Sequence, residues 1–115
     1  MAQSETLPLL KGTVDVLVLK SLSWGPMHGF GIAGWLESNS AGMLGMDDGA
    51  MYQVLHRLEG RGYIEGEWGT TENNRQAKYY SLTAAGKKHL KAETDTWLQY
   101  SKSVTSLLTL TTRPA

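Results

Sequence analysis

Tyr52, Gln53, His56 and Arg57 are four side chains able to hydrogen-bond, set close together in the stretch DDGAMYQVLHRLEGR, residues 47–61. Wound as an α-helix at roughly 100° per residue, the stretch gathers Ala50, Met51, Val54, Leu55 and Leu58 on one side. The opposite side collects the four polar residues, and packing requires none of them. Asp47 or Asp48 can cap the start, and the Gly60-Arg61-Gly62 run ends the helix. Two readings stand. Such a helix can enter the major groove of DNA, or it can be an ordinary amphipathic surface helix.

Other residues hint at different chemistry. Gly29-Phe30-Gly31-Ile32-Ala33-Gly34 is a literal G-x-G-x-x-G. A dinucleotide site would need a strand directly before it, a helix after it and a carboxylate about 20 residues on. Val14 to Leu19 could stand for the strand and Asp48 loosely for the carboxylate. The intervening SLSWGPMH is too long for the tight turn that a pyrophosphate requires, and a second βαβ unit is missing. Close helix packing is the simpler use of these glycines. His28, His56 and His89 lack metal-ligand spacing, so the metal expectation is none. Without a nucleophile elbow, a Walker loop or a His-Glu-x-x-His motif, neither an enzyme nor a cofactor is expected.

Composition bounds the partners. The 115 residues suffice for one domain with a modest core. Eleven basic and eleven acidic residues give zero formal net charge, which counts against nucleic-acid binding unless the basic surface is local. The absence of cysteine fits a reducing compartment. The longest apolar run, around Val14 to Leu19, is far short of the ~20 residues of a membrane span. MAQSETLPLL lacks the features of a signal peptide, so a soluble cytoplasmic protein with no membrane partner is expected.

The elements that must position the polar helix follow in chain order. Residues 1–10 read as an arm. Lys11 to Leu22 is apolar nearly all round and allows a buried strand or a helix. Helix is preferred, with Gly12-Thr13 and Asp15 at its start and Lys20 near its end. Ser23-Trp24-Gly25-Pro26 breaks it. Met27 to Ser38 predicts a second helix, Ala41 to Gly45 a loop, and the polar helix then completes a helix-turn-helix. From Gly62 the period changes. Tyr63 to Trp68 and Lys78 to Leu82 read as two strands, joined by a long polar tip from Gly69 to Ala77. Thr83 caps a last helix running to about Leu110. Leu90, Trp97 and Val104 recur every seven residues, with Tyr100 and Leu107 three residues after the latter two. The seam is coiled-coil-like but interrupted by Glu93, and a second subunit is the expected cover.

Four segments, KGTVDVLVLKSL, GPMHGFGIAGWLE, GAMYQVLHRLEGRGYIEGEWG and NNRQAKYYSLTAAGKKHL, resemble the PadR family of bacterial transcriptional regulators. The likeness runs in register from about Leu9 to Leu90 and covers no specific motif in the last 20 or so residues. It implies a mainly α (α+β) fold: a winged helix-turn-helix with a two-stranded wing over residues 1–82, then a long C-terminal dimerisation helix over 83–115. The single C-terminal helix is similar to that of the family's compact members.

The resemblance also implies roles. His28 and Tyr52 would lie near the DNA backbone, Gln53, His56 and Arg57 toward the groove, and Asn73, Asn74, Arg75 and Lys78 on the wing. Many members carry proline after the tyrosine. Gln53 stands there here, and glutamine can pair bidentately with adenine. Plainer readings sit beside these. Tyr52 could be half-buried under its helix, Arg57 could pair with Glu59 or Glu65, Lys78 could lie along the sheet, and Asn could serve only the turn. The expected partners are double-stranded DNA, a second copy meeting through Leu90, Trp97, Tyr100, Val104 and Leu107, and a small aromatic effector. Some similar proteins stack such a ligand on a tryptophan between the C-terminal helices, and Trp97 is placed for that, or is simply an interface anchor. The expected function is a homodimeric repressor on a pseudo-palindromic operator, released by a signal, with a shallow salt dependence. The competing readings are a nucleotide binder built on the glycine motif and a winged-helix interaction module that does not touch DNA.

Overall fold

The apolar run after Gly12 forms a helix because its hydrophobic residues can be covered from several sides at once. The computed structural model describes residues 12–114, so the expected arm at residues 1–10 lies outside the described residues. Helix α1 spans Thr13–Ser21 and continues into a 3-10 turn, Leu22–Trp24. Val18, Leu19 and Leu22 enter the core, and the buried Ser21 hydroxyl is satisfied by the Val18 carbonyl at 2.6 Å. Helix α2, Gly29–Asn39, is capped by His28, whose Nδ1 accepts the Gly31 N–H at 2.9 Å. It buries Ile32 and Leu36.

Helix α3, Asp48–Gly60, is the polar-faced stretch. Asp47, not Asp48, caps it, with Oδ1 accepting the Ala50 N–H at 2.7 Å. Met51, Val54, Leu55 and Leu58 are buried, as the 3.6-residue period requires. The helix ends in a Schellman arrangement: Gly62 N–H donates to the Glu59 carbonyl and Tyr63 N–H to that of Leu58. Gly62 has φ +80°, a conformation only glycine adopts cheaply.

The strands are β1 (Met27–His28), β2 (Ile64–Thr70) and β3 (Gln76–Leu82). β2 and β3 pair antiparallel from Ile64–Leu82 to Thr70–Gln76. The expected two-stranded wing is present as β2 and β3, with two differences of detail. The sheet has three strands in the order β1-β3-β2, because Met27 and His28 pair antiparallel with Tyr80 and Tyr79. The wing tip is also shorter than expected. Gly69, Thr70, Gln76 and Ala77 join the ladder, leaving residues 71–75 as the turn. That turn is closed by Thr71 N–H on the Arg75 carbonyl at 2.7 Å, with Asn74 at φ +61°.

Helix α4, Ala84–Leu108, is 25 residues long, roughly 37 Å at 1.5 Å per residue. Its root is tied down closely. The Thr83 hydroxyl accepts the Gly86 N–H at 3.0 Å and donates to the Gly62 carbonyl at 2.6 Å. Thr83 N–H donates to the Tyr63 carbonyl, against which Gly86 is pressed so closely that a Cβ would collide with it. His89 stacks on Tyr63 with ring centroids 4.1 Å apart and planes 6° apart. The arrangement is a winged helix-turn-helix followed by a long helix.

Candidate nucleic-acid interface

The buried row of α3 leaves Tyr52, Gln53, His56 and Arg57 exposed on the opposite side. Tyr52 keeps 65% of its surface, so it is not tucked under the helix, and its ring lies 5.9 Å from that of His56. Arg57 is on the flank nearest α1. There its Nη2 meets Asp15 Oδ1 at 2.6 Å and its Nε meets Oδ2 at 3.3 Å, with Arg61 Nη1 a further 4.0 Å contact. The carboxylate that Arg57 finds is thus Asp15, 42 residues upstream, and neither Glu59 nor Glu65. The hydrogen bond to Asp15 raises the Arg57 pKa above its ordinary value.

Across from the other flank stands the hairpin. A cleft of about 800 Å³ separates it from α3, and Tyr52, His56 and Glu59 line the helix side. Asn73 and Arg75 line it from the wing tip. Arg75 has no ion-pair partner among the described residues. Asn74 supplies the left-handed turn position, so it has a structural task of its own. Lys78 lies along the sheet and reaches Glu59 Oε1 at 3.1 Å. That hydrogen bond raises the Lys78 pKa, while burial raises that of Tyr80. His28 sits at the base of the cleft with Nδ1 occupied by the helix cap and its ring 5.2 Å from that of Tyr79.

Two residues in the cleft escaped the sequence reading. Phe30 and Trp68 keep 82% and 68% of their surface. The signal for Trp68 was present: Ile64, Gly66 and Trp68 alternate onto the face toward α3. The hairpin outruns that helix, so its last aromatic overhangs open space. Of the three glycines in G-x-G-x-x-G, only Gly31 sits where a Cβ would be crowded. A Cβ on Gly29 would lie 3.4 Å from Leu55, and one on Gly31 would lie 3.3 Å from the His28 ring; Gly34 would meet nothing within 4 Å.

On α4, Leu90 packs against the core of its own chain. Trp97, Tyr100 and Leu107 are exposed, and Val104 is half-buried. Leu98 and Leu108 add to the uncovered apolar surface. Among the described residues no helix is long and apolar enough to cross a membrane.

Residues 18–92, well over half of the chain, match the model of the transcriptional regulator PadR-like family. The chain belongs to the PadR-like family. Its members are DNA-binding transcriptional regulators, not enzymes. A PadR-like transcriptional regulator from Bacillus cereus is similar at 25% identity, with 88% of this chain and 96% of that one covered and a TM-score of 0.76. A PadR family regulator from Eggerthella lenta is 26% identical, with coverages of 86% and 84% and a TM-score of 0.74. A Streptococcus mutans protein, 24% identical over 95% of this chain and 98% of its own, shares the fold with a TM-score of 0.80.

Proposed function

We propose that this PadR-like protein is a repressor that binds operator DNA as a homodimer, inserting α3 into the major groove. The observation that carries the proposal is the outer row of α3, where Gln53 and His56 stand in solvent on a helix whose other side is fully committed to the core. On this reading Gln53 and His56 meet base edges. Tyr52, His28, Asn73 and Arg75 contact the backbone, with Asn74 shaping the turn that presents them. Arg57 joins them at the groove only by leaving Asp15. Two copies meeting along Trp97, Tyr100, Val104 and Leu107 would set two α3 helices about 34 Å apart, matching a pseudo-palindromic site. Its place of work is then the cytoplasm, and a small aromatic ligand stacking on Trp97, or another signal, releases it.

With zero net charge and two of the nearby cations already paired, phosphate contacts are few. A mobility-shift titration against the DNA upstream of its own gene, repeated at several salt concentrations, tests this. Expected are specific binding and a log K–log salt slope much shallower than that of a protein making about ten phosphate contacts. Gln53→Ala should cost about 1–3 kcal/mol on the operator and leave random DNA unaffected. A folded dimer that shifts no DNA would instead favour an interaction module, the reading that the same charge balance supports.

A further inference from the structure

Lys78 occupies a position in the wing where a cation would ordinarily be assigned to a phosphate, yet the groups around it are arranged to hold it elsewhere. Alternation along β3 turns Lys78, Tyr80 and Leu82 toward α3. In register, Lys78 faces Trp68 and Tyr80 faces Gly66. The lysine side chain runs diagonally over Gly66. A Cβ there would lie 3.1 Å from Lys78 Cγ and 3.2 Å from Cδ, and would collide with Cε. The missing side chain on β2 is therefore the channel through which Lys78 crosses. At its far end Nζ bonds to Glu59 on the last turn of α3, and the ammonium lies 5.6 Å from the Tyr80 ring centroid. Only about a third of either side chain is exposed (32% each).

The location matters more than the pair itself. The short link Gly60-Arg61-Gly62 joins helix and wing, and the Schellman bonds and Thr83 fasten the root of the hairpin there. Among the described residues the Lys78–Glu59 pair is the side-chain hydrogen bond that ties the further part of the hairpin to α3. The Glu59–Lys78 bond spans that link from its helix end to the middle of the returning strand. Were DNA to take the lysine, Glu59 would be left as an unpaired carboxylate lining the cleft, repelling the phosphates it faces.

We infer that Lys78 is a positioning residue: threaded past Gly66 onto Glu59, it fixes the angle between the wing and α3, so that Arg75 and the outer row of α3 can engage DNA together. The inference rests on the DNA-binding reading above. Its sharpest consequence is a sign. If Lys78 is a phosphate contact, Glu59 competes with DNA, and removing the carboxylate tightens binding. If Lys78 is a brace, the same change weakens binding.

The test uses the full-length protein and its operator, with Glu59→Gln, Lys78→Met and the double variant. Each single change should weaken binding by about fivefold, the scale of a partly exposed ion pair, and the double should be no weaker than either. Lys78→Met should leave the salt slope unchanged. Tighter binding by Glu59→Gln, or a slope reduced by about 0.9 per protomer in Lys78→Met, would overturn the brace. A second measurement needs no DNA: amide hydrogen exchange across residues 64–70 and 76–82 of the free protein. Exchange there should rise several-fold in both single variants, and unchanged exchange would reject the brace whether or not an operator is found. Failure of the wild-type protein to bind any DNA would reject the regulatory reading, while the exchange arm still decides the brace.

Discussion

The two ends of α4 are parts of one helix with opposite surroundings. At the root, Thr83, Gly86, His89 and Leu90 each have a specific partner within the chain: a carbonyl, a carbonyl, a ring and the core. Beyond Glu93 the apolar residues are less covered by the described residues: Trp97 and Tyr100 meet each other, and Tyr100, Leu107 and Leu108 keep well over half of their surface. The root is held by specific fit, whereas the far end leaves apolar surface uncovered among the described residues. Among the described residues, a helix roughly 37 Å long is thus docked most closely at its root, and its exposed stripe is the surface that the proposed homodimer would use.

The contrast can be broken most severely at the root. Gly86→Ala should gain about 1 kcal/mol of helix propensity, yet the added methyl meets the Tyr63 carbonyl. A net loss of about 2–3 kcal/mol is expected in urea unfolding, because backbone on both sides must shift. A neutral or stabilising result would mean that the root is not the rigid junction described.

Trp97→Ala is the matching change at the far end. It should leave the fold of each protomer intact by far-ultraviolet circular dichroism while weakening self-association by about 2 kcal/mol, or roughly 30-fold, in sedimentation equilibrium. An intact dimer that no longer responds to a planar aromatic ligand would instead make Trp97 part of a pocket. The smallest effect returns to the root. His89→Ala removes one face of the Tyr63 stack and should cost about 1 kcal/mol of stability without changing self-association. If association changed and stability did not, the boundary between docked and undocked parts would lie nearer Thr83.

The elements carrying the interface were legible where a periodicity had room to repeat. Four buried residues at helical spacing identified α3, and the alternation from Ile64 to Trp68 identified the hairpin. β1 was invisible because Met27 and His28 are too few to show any period; only pairing with Tyr79 and Tyr80 makes them a strand. The wing tip was overestimated for a related reason, since Gln76 and Ala77 carry no strand signature of their own. Charge partners were unreadable. Arg57 had nearer carboxylates in sequence at Glu59 and Glu65, but Asp15 on α1 is the one that folding brings to its flank. Leu90 shows the limit of the heptad argument. The period marks a residue as needing cover without saying whether its own core or another chain supplies it, and here its own core supplies part of it.

Thr83 joins these regions in a single hydroxyl, bonded on one side to the start of α4 and on the other to Gly62 at the close of α3. Mechanically, α4 is a long arm whose base is clamped to the close of the polar-faced helix. Each degree of tilt about that point sweeps the far end through about 0.6 Å, given the helix length. Under the proposed DNA-binding reading, a displacement near Leu107 would act back through Thr83 on Gly62, just past the end of the helix that carries Gln53 and His56.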